Sequence, residues 1–144
     1  MEALRDIKNK LFDGTGRDVP RTYLELLKIR GAADWTEFVD ASDDAMFCAY
    51  WLEGGLLRSV AYRGEDQDAS AEECAFPLSM LIGLTTSYTF GGQRVGFDYK
   101  HFYWQRKVEI RFQGADPIVL RDKAAEAGQP TRVSVFVDAI AAAA

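Results

Sequence analysis

Between Val95 and Phe112 the chain reads VGFDYKHFYWQRKVEIRF, with apolar side chains recurring at every second residue. That is the period of a strand with one face on a core and the other in water. The phase changes part-way along. Val95, Phe97 and Tyr99 hold odd positions, whereas Phe102, Trp104, Val108, Ile110 and Phe112 hold even ones. A slip of one residue turns a strand's side chains to the opposite face. The change near His101 therefore implies a β-bulge or two strands meeting at a bend. The rest of the chain supplies partners for this sheet.

The composition fits one domain over residues 1–144, large enough to bury a core. An apolar fraction of 48% and an aromatic fraction of 12% exclude disorder of the whole chain. No apolar run reaches the roughly 18–20 residues of a membrane span. The start, MEALRDIKNKLFDG, is charged throughout and lacks the apolar centre of a secretory signal, so a cytoplasmic protein is expected. Cys48 and Cys74 then read as reduced, partly buried thiols. The net charge of −5 is unevenly spread: residues 34–73 carry eleven acids and two bases, residues 94–111 five bases and two acids. An acidic balance opposes approach to phosphate backbones, so no nucleic-acid partner is expected.

In chain order, Ala3, Leu4, Ile7 and Leu11 sit at helical spacing up to Asp13-Gly14. A second helix is predicted from Pro20 to Arg30, with Gly31 beyond its end and Leu26 and Ile29 widening its apolar stripe. Residues 34–44 stay open: Asp34 to Glu37 has capping-box spacing, yet Trp35, Glu37 and Val39 alternate as a strand does. Ala45–Leu52 and Leu56–Tyr62 flank Glu53-Gly54-Gly55 and predict a hairpin. Gly64–Glu73 carries five acids and no base, and reads as a solvated loop entering a capped turn at Ser70, or as an acidic docking surface. Pro77–Phe90 reads as a long strand with a bulge or bend at Gly83, and Gly91-Gly92 as the turn after it. Val108–Phe112 returns through Gly114–Pro117 to Ile118–Leu120 as a second hairpin. Asp122–Gln129 reads as a polar connection with one helical turn ended by Gly128. Val133, Phe136, Val137 and Ile140 then predict a C-terminal helix.

This order, carried by FPLSMLIGL at 76–84, VEIRFQGADPIVL at 108–120 and TRVSVFVDAIAAA at 131–143, resembles the pleckstrin-homology-like superfamily in its bacterial and GRAM-type forms. The resemblance implies an α+β fold. Its core is a bent antiparallel sheet or partly open barrel over 45–144, closed by a C-terminal helix; the two N-terminal helices expected over residues 1–31 lie outside the family's pattern. It also implies a scaffold for proteins, peptides or lipids. Members that bind phosphoinositides place bases around the first hairpin loop. Glu53-Gly54-Gly55 has none, so that ligand is not implied.

Chemistry is scarce in the chain. One histidine and two distant cysteines make no zinc pattern, and the acids lack calcium-loop spacing. Gly14-Thr15-Gly16 is a turn without the Lys-Ser/Thr of a phosphate loop, and Ser79 lacks a G-x-S-x-G context. No catalytic residue, cofactor or metal ligand is assigned, and a non-enzyme is expected. The feature that invites a function is the interleaving of rings and cations at Tyr99, Lys100, His101, Tyr103, Trp104, Arg106 and Lys107, which can hold single-stranded nucleic acid, an anionic headgroup or an acidic peptide, and which suits a protein interface. The expected function is a non-catalytic domain binding a protein or peptide through this strand. The alternatives are a small-molecule or lipid carrier with an internal cavity, and an acidic immunity-type protein covering a basic partner.

Overall fold

The computed structural model describes residues 2–12, 18–43, 46–95, 98–124 and 131–144; for 2, 66, 91–95, 98–103, 123 and 124 it describes the backbone alone. Helix α1 spans Glu2–Phe12 and α2 spans Arg21–Ile29. In α1, Ile7 and Leu11 recur on one face and are buried with Phe12. Helix α2 starts after Pro20, whose φ of −57° suits a helix entrance, and it buries Tyr23, Leu24 and Leu27. Leu26 packs at the margin of this core. Ile29 departs from the expected stripe and stands in solvent, because at about 100° per residue it falls on the side of the helix opposite Tyr23, Leu24 and Leu27.

Both helices pack on a four-stranded antiparallel sheet, ordered β1 (Phe38–Asp40), β2 (Met46–Glu53), β3 (Leu56–Arg63), β4 (Ser70–Pro77). The β2–β3 turn consists of Gly54 and Gly55, with φ of 55° and 79°. Two successive positive φ angles are what a two-residue hairpin loop following the strand twist requires, and glycine supplies them without strain. Register then runs from Glu53↔Leu56 to Met46↔Arg63. Ala49, Trp51 and Val60 meet Tyr23, Leu24 and Leu27 in one cluster, and Trp51 stacks on Trp35 with ring centroids 4.1 Å apart. The fully buried Tyr23 donates from its hydroxyl to the Val60 carbonyl at 2.8 Å. Tyr23→Phe should lower unfolding free energy by about 1–2 kcal/mol in urea titration, because a buried acceptor loses its donor. An unchanged midpoint would mean that solvent reaches the Val60 carbonyl.

The stretch left open at 34–44 divides. Ala32–Asp34 is a 3₁₀ turn with no side-chain cap, and β1 pairs Phe38 with Trp51. The acidic segment corrects the loop reading. Asp66–Asp68 is a 3₁₀ turn, but from Ser70 the chain is strand β4, with Ser70–Glu73 exposed. Gly64 allows the entry: at φ 89° its Cβ position would stand 2.8 Å from the Asp68 carbonyl oxygen.

The chain divides into two compact units, Met1–Phe76 and Pro77–Ala144. In the second, Leu78–Met80 is a 3₁₀ turn. It is followed by β5 (Leu81–Val95), β6 (Asp98–Phe112), β7 (Ile118–Ala124) and α3 (Arg132–Ala143). The strands form an antiparallel sheet of their own, ordered β5-β6-β7, so the described strands up to Pro77 do not partner the Val95–Phe112 stretch as expected but pair among themselves. The long strand predicted from Pro77 therefore begins four residues later, since proline has no N–H to continue a ladder and ends β4 instead. Gly91-Gly92 is also not the turn. It lies inside β5, and the chain reverses between Val95 and Asp98. Val95–Phe112 is thus the end of one strand, a reversal outside the described residues, and the whole of the next strand.

The expected bulge is present in the register. Gly91 pairs Tyr103 while Gln93 pairs Lys100, leaving one extra residue on β6 where the apolar phase changes. A second shift between Leu81 and Gly83 falls at the predicted position on β5. Strand β7 runs to Ala124, so the first part of the expected polar connection is strand, held by Asp122 opposite Arg106. The helical turn expected up to Gly128 lies outside the described residues. Helix α3 forms as expected and opens with a capping box. The Thr131 hydroxyl accepts from the Ser134 N–H at 3.1 Å, and the Ser134 hydroxyl accepts from the Thr131 N–H at 2.9 Å. Val133, Phe136 and Ile140 are its buried face. Among the described residues the architecture is α+β, with two antiparallel sheets, three helices and no closed barrel.

Candidate functional site

The alternation of β6 distributes the sequence-predicted residues over two faces of the second sheet. Trp104, Arg106, Val108, Ile110 and Phe112 share one face. The register adds Leu84, Thr86, Tyr88 and Phe90 from β5, and Ile118, Leu120 and Asp122 from β7. Gln105, Lys107, Glu109 and Arg111 take the other, with Thr85, Ser87 and Thr89 of β5 and Arg121 of β7. Tyr99, Lys100, His101 and Tyr103 lie in β6 by backbone, and their side chains are outside the described residues.

Burial falls along the first face. Phe112, Ile110 and Val108 are buried, as are Ile118 and Leu120 beside them. Arg106 comes next, with its side chain 12% exposed and that of Asp122 11%. The guanidinium donates from Nε and Nη2 to the two carboxylate oxygens of Asp122, each at 3.0 Å, and from Nη2 to the Thr131 hydroxyl at 2.9 Å. Thr131 in turn donates its hydroxyl to Asp122. Such a two-pronged pair is the strong form of an ion pair, and here it ties the first turn of α3 to the sheet. Arg106, counted from the sequence among binding residues, is thereby engaged within the fold.

Beyond Arg106 the face opens. Trp104 is half-buried, and Phe90 and Tyr88 meet its ring edge-on, with centroids 4.7 and 5.8 Å away. Phe90 is 57% exposed and Tyr88 50%. Sequence reasoning missed these two. Their signal lay in TTSYTF, where Thr86, Tyr88 and Phe90 keep the same two-residue period as the opposite strand. The arrangement provides a contiguous aromatic surface. Lys107 does not join it: it projects from the opposite face, with Nζ 3.4 Å from the Glu109 carboxylate.

Both cysteines are free, Cys48 buried and Cys74 half-buried. Burial pushes the Cys48 thiol up to about 11, with a hydrogen bond to Tyr50 opposing and Asp40 reinforcing the shift. A buried thiol of this kind is a poor nucleophile at neutral pH. The folded state keeps the Cys48 proton where the unfolded chain loses it. Its contribution to stability is therefore complete below pH about 9 and falls as pH rises toward about 11. Burial also raises Tyr23 and Tyr50, which add to the fall above the ordinary tyrosine range. Thermal melts should accordingly show a smaller loss between pH 9 and 10 for Cys48→Ala than for the native chain. Equal losses would assign the alkaline transition to other groups.

Among the described residues no three His, Cys, Asp or Glu side chains converge as metal ligands, and no helix is long and apolar enough to cross a membrane. Fold and site together define an α+β chain of two antiparallel sheets, the second bearing an aromatic surface at one end. No family model, curated protein or solved structure matches it.

Proposed function

We propose that this chain is a non-catalytic, cytoplasmic binding domain that engages a protein or peptide through Tyr88, Phe90 and Trp104. The exposure of Phe90 and Tyr88 around the Trp104 ring carries the reading. Large rings left in water beside a rigid, half-buried tryptophan are the anchors that protein interfaces use, since they cover much area at little cost in side-chain freedom. The element order supports the likeness to pleckstrin-homology-like domains: four antiparallel strands, then three, then a helix. In this reading the aromatic end of β5 and β6 replaces the basic first loop as the contact.

The test is affinity capture from the chain's own host, at low and at high salt, with native protein, Phe90→Ala and Trp104→Ala as baits. A stoichiometric protein retained at high salt by the native bait and lost from both variants is the expected result. Capture that ignores both substitutions would remove the aromatic surface from the contact. A partner released by salt alone would favour a second reading, in which the exposed acids Glu65, Asp68, Glu72 and Glu73 meet a basic protein.

A further inference from the structure

On the polar face of the second sheet, Lys107 of β6 and Arg121 of β7 are direct register partners. Such neighbours have β-carbons about 4.5–5.5 Å apart, and like charges there oppose strand pairing. Relief within the fold is partial. Glu109 stands 3.4 Å from Lys107 and also 3.7 Å from Arg111, so one carboxylate serves two cations, and Arg121 is exposed. Among the residues of this face whose side chains are described, the cations Lys107, Arg111 and Arg121 stand against one acid, Glu109. Lys107 and Arg121 open onto a cavity of about 440 Å³, lined among the described residues also by Thr89, Gln105, Arg106 and Asp122. Arg106 and Asp122 neutralise each other in the pair already described, which leaves the described lining net positive, with a hydroxyl and an amide beside it.

We propose that this cavity binds a phosphate group. Arg121 offers a planar fork, Lys107 a mobile point charge, and Gln105 and Thr89 neutral donors, a set that matches the several oxygens and near-double charge of a phosphate better than a carboxylate. The volume falls within the roughly 300–1,000 Å³ of small-molecule sites. The bound anion also screens the Lys107–Arg121 repulsion, so the free sheet carries a cost that the ligand removes. The proposed ligands Lys107, Arg121, Gln105 and Thr89 lie on the face opposite Tyr88, Phe90 and Trp104, so the site can be occupied independently of the proposed partner.

Inorganic pyrophosphate titrated into the full chain, followed by amide spectra and thermal melts, tests this. Saturable shifts at the Gln105, Lys107 and Arg121 amides are expected, together with a rise in melting temperature. Arg121→Gln should weaken binding about tenfold or more, the range of a hydrogen bond to a charged group. Without pyrophosphate, Arg121→Gln should melt no lower than the native chain, because it removes repulsion. No saturable response at these amides, or equal responses of native and Arg121→Gln protein, would overturn the site. Phosphatidylcholine vesicles doped with phosphatidic acid distinguish the source. Vesicle binding displaced by pyrophosphate assigns the phosphate to a lipid headgroup, whereas pyrophosphate binding without vesicle binding assigns it to a soluble molecule.

Discussion

Arg106→Ala is expected to lower the unfolding free energy by about 3–5 kcal/mol, as breaking one side of a buried ion pair does elsewhere. The loss arises mainly from what remains. Asp122, whose side chain is 11% exposed, loses the guanidinium and among its described partners retains the Thr131 hydroxyl, and the capped start of α3 loses its tie to β6. For a chain of 144 residues that corresponds to a fall in melting temperature of roughly 10 °C. Replacing both partners with apolar residues, as in Arg106→Met with Asp122→Leu, should recover much of the loss, because no charge is then stranded. Urea titration of the two single variants and the double one forms a thermodynamic cycle. Single variants within about 0.5 kcal/mol of native would show that water already solvates the pair.

Removal of the Phe90 ring should cost binding instead. Phe90→Ala is expected to weaken the partner by about 2 kcal/mol or more, roughly thirtyfold, expressed mostly as faster dissociation. Its effect on the fold should stay within about 1 kcal/mol, since the ring is 57% exposed and loses chiefly its edge contact with Trp104. Trp104→Ala should cost as much in binding but also about 2 kcal/mol in stability, in keeping with its half-buried position. The contrast with Arg106→Ala is the useful one: Phe90 of β5 and Arg106 of β6 share one face of the sheet, yet the first acts on binding and the second on folding. Surface plasmon resonance with the captured partner, beside urea melts, separates them. A Phe90→Ala protein that binds normally would place the contact elsewhere.

Much of the fold was legible because it is local. Gly54-Gly55 between two β-compatible runs specified a hairpin, and the structure pairs Glu53 with Leu56 across it. Ile7 and Leu11, or Val133, Phe136 and Ile140, announced helices by spacing. The phase change at His101 announced a bulge. The failures share a cause. Ser70–Glu73 is polar, so nothing in its own residues marks it as a strand; its place beside β3 does. Gly91-Gly92 has the composition of a turn, yet it sits across from the bulged segment of β6, where a strand tolerates glycine.

The candidate site was legible in part for the same reason. A run of rings and cations drew notice to 99–107, but a strand sends neighbouring residues to opposite faces, so Trp104 and Lys107 never belonged to one surface. Sequence by itself determined the periods, the turns and the positions at which a face must switch, since each depends on residues a few places apart. Tertiary structure alone decided that Arg106 meets Asp122 and Thr131, that Phe90 completes the ring of Trp104, and that Lys107 faces Arg121. Periodicity states which side chains share a face. Which other segment covers that face, or leaves it in water, depends on contacts between residues far apart in the chain.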